Sequence, residues 1–306
     1  MVKLVPSLAT RASGALLGHA AGNALGLTAR EFASHAAIAA RFAGGLTTVI
    51  RQDTAASPCA ADVAFSIVLA EELLRQPVDL KRLADRWIAW ADADGRGLGS
   101  RTRQALDHLR DYSAPLERGD DGAGSGAVAH CLPVALATLH SPRNLVSATY
   151  HIAALTHPEP HSAWSAVALN VAAARFLHGA RDFVPDVIEM LRANDAPAEL
   201  LAVVRRVPLV GRQALPVDLP PTGSAVQCLE VAFWLAYHEP VLERALVWLV
   251  NAGGDTATNA AVAGGLLGAR DGEEAVPAGW LSALPDADAL RTLADRLVGS
   301  GAATTR

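Results

Sequence analysis

The stretch Gly253-Gly254-Asp255-Thr256-Ala257-Thr258 leads straight into a run of small, mostly apolar residues, Asn259 to Ala269. An aspartate after two glycines is well placed to cap a helix, because its carboxylate can accept a backbone N–H of the first turn. Asp255 and Thr258 would then project beyond the helix end, where their oxygens can converge on one hard cation or on one substrate. A second acidic helix start occurs at Asp62, within Ala60-Ala61-Asp62-Val63, ahead of an apolar run to Leu74. Each residue also has a plain structural reading. Asp255 serves as a cap, Asp62 as a first-turn acid favoured by the helix dipole, and Thr258 as a hydroxyl bonded to its own backbone.

Between these two segments lies Gly119-to-Ala127, GDDGAGSGA. Its Gly124, Ser125 and Gly126 free several N–H groups near a helix start, which suits an anion. It lacks the Lys and the spacing of a P-loop. His130 and His157 are candidate ligand contacts, against readings of the first as a core histidine and the second as a turn residue. His151, beside Tyr150, is assigned to the core. His238-Glu239-Pro240 has a zinc-like His-Glu pair, but it lacks a second His at helical spacing and its proline ends the helix.

The elements that must position these residues read at helical period almost throughout. Residues 13–27, SGALLGHAAGNALGL, form a small-residue helix that permits close backbone approach. Residues 59–76 place Val63, Ile67, Leu69 and Leu73 on an apolar face, with Ser57-Pro58 as cap and first-turn proline. Leu83, Trp87 and Trp90 face inward from residues 79–93. Residues 126–140 read as one helix, and residues 210–225 as the one long loop. Strand and hairpin signals are scarce. The expectation is an all-α protein of about a dozen helices, in a single domain over 1–306.

The chain has 306 residues, 51% hydrophobic and 19% charged, enough for a sizeable core. Net charge is −5 with no basic run, which argues against a nucleic-acid partner. Cys59, Cys131 and Cys228 are widely spaced and form no CxxC pair, which suits a reducing cytoplasm. Pro6 and Arg11 interrupt a weakly signal-like start, and no apolar stretch reaches about 18 residues, so a membrane partner is not expected.

Residues 253–269 resemble the C-terminal signature of the ADP-ribosylglycohydrolases, the family of dinitrogen-reductase-activating glycohydrolase and the ADP-ribosyl-acceptor hydrolases. GALLGHAAGNALG is similar to the family's glycine-rich N-terminal segment, and ADVAFSIVLAEELL to the helix after its Thr-Asp-Asp-Thr motif. DGRGLGSRTRQAL, GSGAVAHCLP, THPEPHSAWSAVALN and GARDGEEAVPAGW also match, so the likeness runs from about residue 14 to 281. The resemblance implies a compact all-α fold with two Mg²⁺ or Mn²⁺ ions. It also implies hydrolysis of the N- or O-glycosidic bond between ADP-ribose and a protein side chain or small molecule.

Carried over position by position, the resemblance implies a depleted metal set. Thr-Asp-Asp-Thr aligns with Ala60-Ala61-Asp62-Val63, and Asp-Thr-Asp-Thr with Asp255-Thr256-Ala257-Thr258. Asn23 stands where the family has Asp, Arg30 where an acid is expected, with Glu31 one place away, Ser125 for Asn and His130 for Arg. A rival registration puts the first motif on Gln52-Asp53-Thr54, at the cost of an insertion before the helix. The implied metal ligands are Asp62, Asp255 and Thr258, for one Mg²⁺ or Mn²⁺ ion at most, or none. The implied ligand contacts are Asn23, Gly124, Ser125, Gly126, His130, His157, Gly253 and Gly254, around an ADP-ribosyl or nucleotide-like small molecule. Three readings stay open: a hydrolase or repurposed relative using Asp62 and Asp255, a pseudoenzyme that binds ADP-ribose without turnover, and a scaffold. Oligomeric state is not legible.

Overall fold

Two glycine-bearing helices form the centre of the molecule, antiparallel and in backbone contact. They are α1 (Leu8–Ala29) and α14 (Thr256–Asp271). A methyl group placed on Gly14, Gly18, Gly22 or Gly26 would fall closer than 3.0 Å to a backbone oxygen of Gly268, Gly264, Ala260 or Thr256 respectively. The four-residue spacing keeps these glycines on one face of α1. At the far end of the seam the Thr256 hydroxyl donates to the Gly26 carbonyl at 2.7 Å, which locks the register.

The computed structural model describes residues 5–50, 59–110, 123–211 and 223–303. Among these the secondary structure is helical, with two isolated β-bridges and no strand. Around the central pair lie α2 (His35–Arg41), α3 (Ala61–Leu73), α4 (Leu80–Ala93), α5 (Ser100–Arg110), α6 (Gly126–His130) and α7 (Pro133–Ala137). Next come α8 (Pro142–Ala154), α9 (Pro160–Leu177), α10 (Val184–Ala193) and α11 (Ala198–Arg206). The chain closes with α12 (Ala225–His238), α13 (Leu242–Asn251), α15 (Ala278–Leu281) and α16 (Ala287–Ala303). No helix among the described residues is long and apolar enough to cross a membrane.

The expected all-α class holds, with differences in detail. The run 126–140 is two short helices, broken at Cys131-Leu132, because Pro133 cannot donate to a helical carbonyl. α2 and α11 arise where no helix was anticipated. His151 is exposed on α8 rather than in the core, and its Nδ1 lies 2.7 Å from its own helix's Ser147 carbonyl. Ser57-Pro58 and most of the long loop fall outside the described residues. α3 starts at Ala61 with no side-chain cap.

Polar groups inside the core are satisfied across helices. Buried His19 on α1 donates from Nδ1 to the Ala261 carbonyl of α14 at 3.1 Å, and its Nε2 lies 3.1 Å from Ser66 Oγ on α3. Trp87 of α4 stacks on Phe65 of α3 at 5.0 Å and donates to the Phe65 carbonyl at 3.2 Å. These bonds fix the start of α3 against the central pair.

Gly22→Ala is expected to cost about 3 kcal/mol through overpacking of backbone against backbone. Gly279→Ala, where nothing lies within 4 Å of the new methyl, is the control and should be neutral. Urea denaturation midpoints check this; equal midpoints for both variants would refute the seam.

Candidate functional site

The starts of α3 and α14 open onto one cavity of about 240 Å³, lined by Asp62, Asp255, Ala257 and Thr258 among others. Asp62 sits in the first turn of α3, and Asp255 at the N-cap position of α14. Asp255 makes no capping bond with its side chain, contrary to the simplest reading of the sequence. The Ser125 hydroxyl donates to Asp255 Oδ2 at 3.4 Å. Helix N-termini carry partial positive charge, which favours an anion at both places.

Asn23 on α1 holds Asp62 in place. Its Nδ2 donates to Asp62 Oδ2 at 3.1 Å and lies 3.4 Å from the Ala257 carbonyl, while its Oδ1 accepts from the Ala60 N–H at 3.0 Å. One fully buried amide therefore ties α1, α3 and α14 together behind the cavity. Asn23 does not itself line the space.

Burial and the neighbouring Asp255 push the Asp62 carboxyl up to about 7, against weaker pulls from Thr258, Arg30 and Asn23. Burial also raises Asp255, opposed by Thr258, Ser125 and Arg30. Two partly desolvated carboxyls in one site disfavour double ionisation. Near neutral pH the pair therefore tends to hold one proton.

The loop walls are built by close approach. A methyl on Gly124 or Gly126 would lie within 3.0 Å of the His157 ring. Main-chain bonds Ser125 N–H to Gly223 O (2.8 Å) and Ala225 N–H to Ala123 O (2.9 Å) fix this loop to the start of α12. His157 and His130 line the cavity, with ring centroids 6.2 Å apart. Burial lowers both: His157 falls to about 4, with Arg101 adding to the effect, and His130 goes well below its usual value. Both rings are neutral at physiological pH and bond as neutral donors and acceptors.

Gly253 and Gly254 stand apart from the other expected contacts. Their φ values of 79° and 76° turn the chain into Asp255, and the Gly254 N–H donates to the Ala33 carbonyl at 3.2 Å. Neither lines the cavity. The rival Asp53 registration lies outside the described residues. Arg101, Thr102, Gly97, Gly99 and Ser100 do line the space and were not singled out as contacts. The glycine-rich GRGLGSR run ahead of α5 was the available signal. Cys59, Cys131 and Cys228 are in no disulfide among the described residues, and burial raises Cys59 to about 12.

Two carboxylates at two helix starts, beside a glycine-lined loop, thus line one small cavity of this helical fold. The family model for ADP-ribosylglycohydrolase matches residues 4–305, so the chain belongs to that family. It is 28% identical to the ADP-ribosyl-[dinitrogen reductase] glycohydrolase of Rhodospirillum rubrum, over 91% of this chain and 92% of that protein. It is 26% identical to ADP-ribosylhydrolase ARH3 of Danio rerio, over 77% and 76%. A solved ADP-ribosylglycohydrolase-related protein complex superposes with a TM-score of 0.73 at 27% identity, covering 96% of this chain and 99% of that one.

The Asp62 shift has a consequence for stability. A carboxyl raised in the fold favours folding in its protonated form, so stability contributed by Asp62 falls as pH rises from about 4 to about 7. Asp62→Asn removes that loss. The variant is expected to unfold at higher urea than wild type at pH 8, by of order 2 kcal/mol, with the margin shrinking toward pH 4.5. A margin independent of pH would refute the shift.

Proposed function

We propose that this chain, acting as one domain over 1–306, hydrolyses a glycosidic bond from ADP-ribose to a side chain or small molecule. In this reading it does so without a pair of divalent ions. The observation that carries the proposal is the convergence of Asp62 and Asp255 on one cavity with little negative charge to spare. Family membership supports the reaction class.

The donors among the described residues do not suit two ions. Among the described residues no group of three His, Cys, Asp or Glu side chains is placed to hold a metal. The side chains of Ala61 and Ala257 carry no oxygen, and two divalent cations bring twice the charge that two carboxylates cancel. Asp62, Asp255 and the Thr258 hydroxyl would hold one Mg²⁺ or Mn²⁺ at most, since Mg²⁺ keeps several waters and uses one or two carboxylates.

The remaining chemistry falls to the carboxyl pair. Asp62 carries the proton near neutral pH and gives it to the departing nitrogen or oxygen as the bond to the ribose anomeric carbon breaks. Asp255 stays ionised and stabilises the oxocarbenium-like charge. Water then adds to the anomeric carbon and returns its proton to Asp62. Gly124, Ser125 and Gly126 offer the anion loop, and neutral His130 and His157 form a wall for the ligand.

The test is release of ADP-ribose from N- and O-linked ADP-ribosyl peptides in excess EDTA. Turnover is expected to persist, and Asp62→Asn and Asp255→Asn should each lower kcat by about 100-fold or more. Loss of turnover in EDTA with recovery in Mn²⁺ would refute the metal-sparing reading. ADP-ribose binding by calorimetry with no turnover would instead make the chain a reader of the same ligand.

A further inference from the structure

The cavity holds positive as well as negative side chains. Four ionisable residues other than the two histidines line it: Asp62, Asp255, Arg30 and Arg101. The histidines are kept neutral by burial. Arg101 is shared with Glu159, 3.4 Å away on the opposite side. Arg30 makes no ion pair within 4.0 Å of an acidic side chain among the described residues, yet it acts on both aspartates through space.

Geometry places Arg30 over the start of α3. It follows the last residue of α1 and forms that helix's C-cap. A methyl on Gly97 would lie 3.6 Å from Arg30 Nη1, and closer than 3.0 Å to Ala60 Cβ. Gly97 has a φ of 71°, and the adjacent Arg96 carbonyl accepts the Ala61 N–H at 3.0 Å. The guanidinium therefore lies beside Gly97, whose other close neighbour is Ala60, two residues before Asp62.

From this placement we infer that Arg30 is a resident cation, supplying from the chain itself the positive charge that offsets the Asp62–Asp255 pair. This rests on the metal-sparing reading above and names the group that makes it workable. A guanidinium stays protonated at any working pH, so its charge is permanent. A fixed positive charge facing a cavity repels a divalent ion and attracts an anionic ligand group by the same Coulomb law. The same residue thus discourages metal uptake and favours an anionic substrate end at the cavity mouth.

The experiment is a titration of the purified full chain with Mn²⁺ alone, read by electron paramagnetic resonance of the free ion. Wild type, Arg30→Gln, Arg30→Lys and Arg30→Gln/Asp255→Asn are compared. Arg30 is exposed, so its variants should fold, and a circular dichroism melt verifies that they do. Removing the charge is expected to tighten Mn²⁺ binding about tenfold or more, while Arg30→Lys stays close to wild type. The added Asp255→Asn should abolish the gain. Equal affinity in wild type and Arg30→Gln would overturn the inference, as would a gain in Arg30→Lys or one that survives loss of Asp255. No ADP-ribosyl substrate is present, so failure of the hydrolytic reading would leave this outcome independent.

Discussion

Backbone-to-backbone contact between α1 and α14 is the constraint on which the site depends. Gly14, Gly18, Gly22 and Gly26 give up side chains so that the two helices can touch along four successive turns. That contact leaves the end of α1 beside the start of α14. Asn23 then reaches both the Ala257 carbonyl and the Asp62 carboxylate. A wider seam would carry Asn23 away from one partner or the other. The two carboxylates meet because two main chains are packed without spacers.

Electrostatics follows from that closeness. The pair is drawn toward helix N-termini, which favour negative charge, but is held partly away from water, which disfavours it. Desolvation, joined at Asp62 by repulsion from Asp255, outweighs the local hydrogen bonds and raises both carboxyls above their ordinary range. The family's usual remedy for such a pair is a metal centre. In the metal-sparing reading proposed above, the side chains of Ala61 and Ala257 offer no oxygen to a second ion, and Arg30 and Arg101 line the same space. A proton and a guanidinium together can perform the neutralising task.

Much of this was legible in the sequence because it lies in period and residue size. The small-residue run 13–27 read as a helix that permits close backbone approach, and the two Asp-bearing helix starts read as one site. His130, His157 and Ser125 were flagged, and all three line the cavity. Other features depend on distant packing. Asn23 was expected as a contact, yet it lies behind the cavity as a clip, because its role comes from bonds to residues 39 and 234 positions away. Gly253 and Gly254 shape the turn and brace Ala33 instead of facing the cavity. His151 was placed inside, but helix phase on α8 turns it outward. Arg30 had registered only as a mismatch, since a lone arginine at a helix end carries no pattern that reveals what it faces.

The most direct test of the central claim is an anomalous difference map from crystals of the full chain grown in Mn²⁺ and ADP-ribose. The account predicts one weak Mn²⁺ peak at most between the starts of α3 and α14, with the Asn23–Asp62 bond intact. Two full peaks bridged by Asp62 and Asp255 would contradict it.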